Sequence, residues 1–432
     1  MSADTPLLAA EDVKKHFDQS DGFLDRLLGG GGLVRAVDGV DLELHEGETL
    51  AVVGESGCGK STLGQTLLNL HAATDGSIEF RGDELTGLSD REMRQYRRRM
   101  QMIFQDPLAS LNPRQTVGDI VTAPMEVHDI GDGEADRIDR AEGLLERVGL
   151  KPAHVDRYPG QFSGGQQQRV GIARALAVEP EMIVADEPVS ALDVSVQAQI
   201  LQLLDDLQEE LGLSILMITH DLSVVHQVAD RVAVMYLGEI VETAPVEELF
   251  EDPRHPYTKS LLSAVPRIDP EAREDRILLE GTVPSPIDPP EGCRFHTRCP
   301  EVIPGDDWPG EQPAFRRAFT FRNRVENGEL DPEAVRSRLE AESDGVTDDD
   351  VASRLIEGAL PGGIESLPDS AAETVRTAAK QVVEGDEAAA VETVQAFASP
   401  CFEETPRVVE PASNRTAACH RVDPERPTPE LD

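Results

Sequence analysis

The chain has 432 residues, a formal net charge of −42 and a pI near 4.5. That length favours two or three domains, and the acidic balance argues against a basic nucleic-acid-binding surface, so we expect no nucleic-acid partner. Only six of the 40 basic residues are Lys. An acid-rich, Lys-poor surface is typical of salt-loaded cytosols, where charges are screened within about 3 Å. We therefore predict a halophilic protein; one acidic tail on an ordinary protein is the alternative.

The sequence has no apolar run long enough to span a membrane. Residues 1–12 lack the basic start and the apolar centre of a secretory signal. Five Cys in so long a chain do not predict a disulfide framework. These features predict a cytosolic protein.

A Gly-rich stretch matches G-x-x-x-x-G-K-[ST] and consists of Gly54, Glu55, Ser56, Gly57, Cys58, Gly59, Lys60, Ser61 and Thr62. An apolar run before it predicts a strand at 49–53, and residues 63–70 predict a helix. Backbone N–H groups in such a turn can cradle phosphates, Lys60 can bridge the β- and γ-phosphates, and Ser61 can bind Mg²⁺. The flanking strand and helix argue against a turn that binds nothing, so the stretch predicts a nucleotide site.

Several strands are predicted before this loop, with a flexible insertion at 18–35 that holds the Gly29–Gly32 run. Phe17 ends the first strand and is either a core aromatic or a face for adenine. A basic helix is predicted at 89–99, then a strand at 100–104 that ends at Gln105. Gln105 can reach a metal or an attacking water, although a Gln in a loop usually has no such role.

A second Gly-rich segment is Ser163, Gly164, Gly165 and Gln166. Ser163 is a good N-cap for a helix that runs to about Val178, and the open N–H groups at the helix start attract anions. Residues 181–187 follow as an apolar strand that ends in Asp186 and Glu187. Asp186 can hold Mg²⁺ and Glu187 can polarise a water as a general base; an acidic turn without a role is the alternative.

His220 directly follows a predicted buried strand at 214–219. Beside two phosphate-binding elements it is expected to contact the γ-phosphate, whereas a lone His there would more often be structural. Asp193 precedes an amphipathic helix at 196–211, and a hairpin about Gly238 is predicted to close the domain near residue 250.

Taken in order, these elements resemble the nucleotide-binding subunit of an ATP-binding-cassette (ABC) transporter. Ser-Gly-Gly-Gln between the two phosphate-binding elements distinguishes this family from other P-loop proteins. The resemblance covers about residues 7–250. It implies an α/β P-loop NTPase fold with a RecA-like core, an antiparallel β subdomain and a helical subdomain at about 105–178. It also implies head-to-tail pairing with a second ATPase subunit, either identical or a paralogue.

The resemblance further implies a role for each motif. The residues that would act on the ATP of their own subunit are Lys60, Ser61, Gln105, Asp186 and Glu187. Of these, Ser61, Gln105 and Asp186 would bind Mg²⁺. The ATP of the opposite subunit would be served by Ser163, Gly164, Gly165 and Gln166. Glu187, His220 and Gln105 form the implied catalytic set, Asp193 would communicate across the interface, and Phe17 would stack on adenine. No catalytic residue is missing, so ATP hydrolysis is expected; Phe162 in place of the commoner Leu is a mild departure.

Two further segments, 253–266 and 104–114, resemble the ATPases of oligopeptide/dipeptide importers. This resemblance implies a C-terminal accessory domain at 251–432 and two transmembrane permease subunits. It places the protein at the cytoplasmic face of the membrane, with an extracellular solute-binding protein as an indirect partner. The cargo stays open, because nickel and glutathione importers share these segments. A soluble ABC ATPase of repair or translation is the rival from another class, but the chain lacks its second cassette or long coiled coil.

Four Cys lie in the tail, at Cys293, Cys299, Cys401 and Cys419. In a reducing cytosol these spacings favour a metal site over disulfides. Resemblance to family members with a cysteine quartet favours a [4Fe–4S] cluster; Zn²⁺ and no metal are the alternatives.

An insertion at about 305–398 separates the two pairs of Cys, where the family would have a short loop. Residues 320–398 hold 18 acidic and 7 basic side chains. Helices are predicted near 332–342, 347–358, 370–383 and 387–397. We expect a solvated helical insertion, with a regulatory contact surface as the alternative.

Overall fold

The computed structural model describes residues 5–18, 32–265, 276–279, 281–343, 345–360, 362–412 and 414–425. The predicted insertion at 18–35 lies largely outside these residues. The strands are β1 (Leu8–Asp18), β2 (Leu33–Leu44), β3 (Thr49–Val53), β4 (Asp75–Phe80), β5 (Asp83–Glu84), β6 (Met100–Ile103), β7 (Met182–Asp186), β8 (Ser214–Thr219), β9 (Arg231–Tyr236), β10 (Glu239–Pro245), β11 (Val408–Ala412) and β12 (Arg415–Ala418).

The helices of the first 265 residues are α1 (Lys60–Leu67), α2 (Asp90–Arg99), α3 (Pro107–Ser110), α4 (Val117–Val127), α5 (Glu134–Arg147), α6 (Gly164–Leu176), α7 (Val194–Leu211), α8 (Leu222–Val228), α9 (Val246–Glu251) and α10 (Pro256–Ser263). Those of the tail are α11 (Gln312–Glu326), α12 (Pro332–Glu342), α13 (Asp348–Ala359), α14 (Asp369–Glu384), α15 (Glu387–Val394) and α16 (Pro400–Glu403). Among the described residues, no helix is both long and apolar enough to cross a membrane.

The larger sheet has eight strands in the order β11-β12-β10-β9-β3-β8-β7-β6. The five strands from β9 to β6 run parallel, and every residue of β3, β7 and β8 is buried, as expected for a parallel sheet covered on both faces. Val53 pairs with Thr219, and Asp186 pairs with Ile218. The carboxyl ends of β3, β7 and β8 therefore meet at one edge of the sheet, which brings the residues after each strand together.

The smaller sheet is antiparallel, in the order β2-β1-β4-β5. Its apolar face, including Leu8, Val13 and Val40, packs in one buried cluster with Leu63 and Leu67 of α1. Helices α4, α5 and α6 share a second cluster with the other face of the parallel strands. The sequence-predicted strands and helices of this half are confirmed, with shifts of a few residues at their ends.

The predicted hairpin about Gly238 is confirmed as β9–β10, but β10 is not an edge strand of the sheet. The chain end returns instead: β12 pairs antiparallel with β10, Glu242 opposite Ala417 and Thr243 opposite Thr416. Arg415 on β12 forms an ion pair with Glu242, which is fully buried, at 3.2 Å. Glu242 also accepts hydrogen bonds from the N–H groups of Arg254 and His255. The domain boundary near residue 250 stays a prediction.

The four helices predicted in the insertion are confirmed as α12 to α15. The sequence analysis missed α11, whose Phe315, Phe319 and Phe321 are buried. These rings belong to the same apolar cluster as Tyr236 of β9, so the insertion packs on the larger sheet rather than being only solvated. Its acidic residues lie mainly on the outer faces; α12, for example, has no buried residue.

Candidate functional site

The loop between β3 and α1 has the conformation of a phosphate cradle. Gly57 and Gly59 have φ values of +82° and +108°, a region that favours Gly. A Cβ on Gly59 would overlap the carbonyl oxygen of Ala36. The Lys60 side chain is buried and donates to the carbonyls of Gly54 (2.9 Å) and Glu55 (3.0 Å). The loop thus presents its backbone around a lysine, as phosphate binding requires.

A cavity of about 240 Å³ opens at this loop. Its lining comprises Val34, Arg35, Ala36, Ser56, Gly57, Cys58, Gly59, Lys60, Ser61, Thr62, Gln105, Glu187, Leu237, Gly238 and Pro286. Most of the loop at residues 54–62, hereafter called the P-loop, and two of the three predicted catalytic residues therefore line one space, although they are far apart in the sequence.

Ser61 and Asp186 meet at the rim of the P-loop. The Ser61 hydroxyl donates to Oδ1 of Asp186 at 2.9 Å. Burial raises the pKa of Asp186, the hydrogen bond from Ser61 opposes that rise, and the neighbouring Glu187 adds to it. A hydroxyl and a carboxylate are hard oxygen donors of the kind that Mg²⁺ prefers, so these residues fit the predicted metal.

Glu187 is the first residue after β7 and has a left-handed backbone, φ +44°. Both oxygens of its carboxylate are engaged: Oε2 accepts from Gln105 Nε2 at 2.7 Å, and Oε1 lies 2.9 Å from His220 Nδ1. A non-Gly residue with this backbone is uncommon and is often found at functional sites. Here it places the carboxylate between the ends of β6 and β8. Gln105 thus contacts Glu187, and its predicted contact with Mg²⁺ stays a prediction.

The second Gly-rich segment, residues 163–166, which we call the signature segment, starts α6, where the Ser163 N–H donates to Gln166 Oε1 at 3.1 Å. The lining of the P-loop cavity, as far as the chain is described, includes none of the four signature residues. A Cβ on Gly165 would overlap Cγ1 of Val196 on α7, so close helix packing alone requires Gly there. Asp193 caps α7, accepting from Val196 N–H at 3.1 Å.

Phe17 is paired with Val34 across β1 and β2, and Val34 lines the cavity while Phe17 does not. Its ring is 36% exposed and stands edge-on to His71, with the ring centroids 5.6 Å apart. The Phe17 ring is accessible to a ligand, and its predicted contact with adenine stays a prediction.

Sequence reasoning missed the support that the tail gives to the P-loop. Tyr257 Oη accepts from the Glu55 N–H at 2.8 Å, and Arg298 donates to both oxygens of the Glu55 carboxylate. Pro286 lines the cavity and accepts from the Arg35 N–H at 3.0 Å. In the sequence, residues 253–266 indicate only a resemblance to a family. No motif links Arg298 with Glu55.

Two of the four tail Cys are joined through the backbone, because the Cys293 N–H donates to the Cys401 carbonyl at 2.8 Å. Burial raises the pKa of Cys293 and of Cys299, and the nearby thiols of Cys401 and Cys419 raise both further. All five Cys of the chain are described, and none forms a disulfide. Within the described ranges, however, no three His, Cys, Asp or Glu side chains are spaced to hold one metal ion.

Comparison with known families agrees with this geometry. A family model described as ABC transporter matches residues 37–190, and one described as the C-terminal region of oligopeptide/dipeptide transporters matches residues 241–305. Residues 312–414, which span most of the insertion, match a domain of unknown function. A P-loop cassette followed by such a C-terminal region defines the ATPase subunit of an ABC transporter.

Similar proteins show which group of ABC transporters the chain belongs to. The putative oligopeptide transport ATP-binding protein YkfD of Bacillus subtilis is 53% identical over 301 residues, which are 69% of this chain and 89% of YkfD. The oligopeptide transport ATP-binding protein OppF of Salmonella typhimurium is 49% identical over 328 residues, 76% of this chain and 97% of OppF. The chain belongs to the family of ATP-binding subunits of oligopeptide/dipeptide ABC transporters.

Proposed function

We propose that this subunit hydrolyses ATP to drive a membrane importer of dipeptides or oligopeptides. The observation that carries the proposal is the placement of Glu187 in the wall of the P-loop cavity, with Gln105 and His220 on its two oxygens. The names of the relatives, which refer to oligopeptide transport, support the choice of cargo.

One set of residues binds ATP, and another catalyses its hydrolysis. The N–H groups of the P-loop and the Lys60 ammonium bind the phosphates. Ser61 and Asp186, with Gln105 nearby, would hold Mg²⁺, which would supply charge neutralisation. Glu187 polarises the attacking water as a general base. Gln105 and His220 hold its carboxylate in place, and His220 senses the γ-phosphate.

We propose that a second ATPase subunit completes the site. The signature residues lie outside the lining of their own P-loop cavity, which supports their action on the ATP of the opposite subunit. Asp193, exposed at the start of α7, would then communicate across the interface. Two permease subunits receive the motion through the loop that begins at Gln105, so the protein acts peripherally at the cytoplasmic face of the membrane. A solute-binding protein outside the cell takes part indirectly.

The experiment is to purify the complex from its native membrane, reconstitute it and measure which solutes stimulate ATP hydrolysis. Stimulation by dipeptides or oligopeptides supports the proposal. Stimulation by nickel or another small solute, without a response to peptides, would keep the ATPase role but overturn the cargo. Recovery of the chain without permeases would favour the soluble rival.

We propose the four tail Cys as a [4Fe–4S] site, with no metal as the main alternative; the spacing of the described side chains does not support a single Zn²⁺ ion. Support comes from the convergence of four mostly buried thiols, donors that suit iron–sulfur clusters and zinc. The cluster would be structural, tying 293–299 to the returning tail. We expect iron together with broad visible absorption in the as-isolated protein; a pure sample without either would refute the proposal.

We also propose adaptation to high salt, on the strength of the net charge of −42. Self-repulsion at that charge is screened only when the Debye length is short. Removing salt should therefore lower both the unfolding temperature and the ATPase rate. An unchanged fold and rate in low-salt buffer would refute the adaptation.

A further inference from the structure

One P-loop residue is held by two side chains from beyond the ATPase core. Arg298 donates from Nη1 to Glu55 Oε2 at 2.6 Å and from Nη2 to Glu55 Oε1 at 3.0 Å. The Tyr257 hydroxyl accepts from the Glu55 N–H at 2.8 Å. The Arg298 side chain is only 8% exposed and that of Glu55 is 28% exposed, so this is a partly buried two-bond pair rather than a weak surface ion pair. Arg298 thus holds the side chain of Glu55, and Tyr257 holds its backbone.

Glu55 in turn sets the position of the phosphate-binding lysine. Its carbonyl accepts from Lys60 Nζ at 3.0 Å and from the Cys58 N–H at 3.3 Å. A shift of the backbone at Glu55 therefore moves the Lys60 ammonium and the turn that precedes it. The contacts of Arg298 and Tyr257 reach the P-loop through this one residue, and neither side chain lines the cavity.

The segment that carries Arg298 is itself fixed. Phe295 is buried against Tyr236 and Tyr257, with both ring-centroid distances 5.2 Å. The Arg298 N–H donates to the Phe295 carbonyl at 3.0 Å. A guanidinium on so rigid a segment can hold a loop in shape, because little side-chain freedom is lost in forming the contact.

Arg294, which lies in the same segment as Arg298, contacts the side of the cavity opposite the P-loop. It donates to the carbonyl of Leu237 and to the carboxylate of Asp38. Leu237 and Gly238 both line the cavity, and the Gly238 N–H donates to the Cys58 carbonyl at 2.9 Å. Residues 294–298 thus contact the P-loop and the opposing turn together.

We propose that Arg298 and Tyr257 are positioning residues that preorganise the P-loop for ATP; this rests on the proposed nucleotide site. Arg298 acts in a second way as well. It neutralises the carboxylate of a residue within the loop that must accept a triphosphate, and without it the Glu55 charge would repel the ligand. Both effects act on nucleotide binding and leave the chemistry at Glu187 unchanged.

The test uses the full chain and a fluorescent Mg-ATP analogue, with steady-state KM and kcat measured in the assembled complex. Tyr257→Phe removes only the hydroxyl, and Arg298→Gln removes the charge. We expect Arg298→Gln to raise Kd and the KM for ATP about tenfold, and Tyr257→Phe about threefold, with kcat kept within about twofold. Arg298→Gln with Glu55→Gln should bind more tightly than Arg298→Gln alone, because the unpaired carboxylate is gone.

The matched control is Arg354→Gln, which breaks the exposed Arg354–Glu357 pair in the tail and should leave Kd and KM unchanged. Folded Tyr257→Phe and Arg298→Gln proteins with wild-type Kd would overturn the inference, as would a loss of kcat without a rise in KM. Where Arg298→Gln fails to fold, Tyr257→Phe alone decides by the same criterion. Normal hydrolysis by Lys60→Ala would instead overturn the proposed function, so the two failures are distinguishable.

Discussion

His220 Nδ1 lies 2.9 Å from Oε1 of Glu187, although the two residues follow different strands and are 33 positions apart. The contact exists because β7 and β8 are parallel neighbours, so their carboxyl ends meet at one edge. Gln105, which follows β6 on the other side, takes the second oxygen of Glu187. The three residues form one unit around the carboxylate.

Glu187→Gln should lower kcat by about 10²- to 10⁴-fold, because an amide keeps the two contacts but cannot act as a base. Binding of Mg-ATP should persist, since the P-loop is untouched. Single-turnover hydrolysis and nucleotide affinity measured on the same sample check this. An unchanged turnover would remove Glu187 from the base role.

Gly165→Ala should lower the unfolding temperature and the ATPase rate, because the new Cβ would overlap Val196 Cγ1. Adding Val196→Ala makes room for that methyl group. We expect the double variant to recover both properties relative to Gly165→Ala, as shown by thermal unfolding and phosphate release. Recovered stability without recovered hydrolysis would contradict the packing explanation and would point to a direct need for Gly beside the opposite ATP.

Arg415→Ala should destabilise the fold by about 3–5 kcal/mol, because it leaves the fully buried Glu242 carboxylate without its cation. The same change should free β12 from β10 and expose the sheet edge. Urea unfolding measures the loss, with Arg354→Ala as the control: its side chain is 50% exposed and pairs with the exposed Glu357, so its removal should cost less than about 1 kcal/mol. Equal costs for the two variants would mean that the returning tail does not stabilise the core.

The free energy of unfolding should decrease as the pH is lowered from 6.5, because the unfolded chain then protonates His255 while the folded protein does not. Burial, together with Lys259, lowers the pKa of His255 to about 3, whereas the unfolded chain takes up this proton near pH 6.5. Its contribution is therefore complete above pH 6.5 and is lost at up to about 1.4 kcal/mol per pH unit as the pH falls. Urea midpoints from pH 7.5 to 5 report the slope.

His255→Asn is the matched variant for that measurement. His255 Nδ1 accepts from the Tyr257 N–H at the start of α10, and Asn can make the same cap without titrating. The variant should show a shallower slope between pH 6.5 and 5. An identical slope in both proteins would assign the acid sensitivity to other groups.

The core of this fold was predictable from the sequence because its signals are local. Buried strands such as 49–53 and 214–219 are unbroken apolar runs, and each ends at a residue with chemical function. In a parallel sheet such strand ends must share an edge. The meeting of Ser61, Asp186, Glu187 and His220 therefore follows from order and strand type alone.

The support from the tail was not predictable, because it depends on pairings over long separations. Arg298 and Glu55 are 243 positions apart, and Arg415 and Glu242 are 173 apart. No periodicity or spacing relates such residues; only the packed structure does. Helix α11 was missed for a different reason: its three Phe lie among four Arg and two Gln or Glu, a mixture that hides the buried face.

The most direct test of the central claim is phosphate release by the assembled transporter with Mg²⁺, compared between the wild-type subunit and Lys60→Ala. We predict solute-stimulated release by the wild type, and for Lys60→Ala a loss of both release and uptake in cells. No phosphate from the wild-type assembly, together with undiminished uptake by Lys60→Ala cells, would contradict the account.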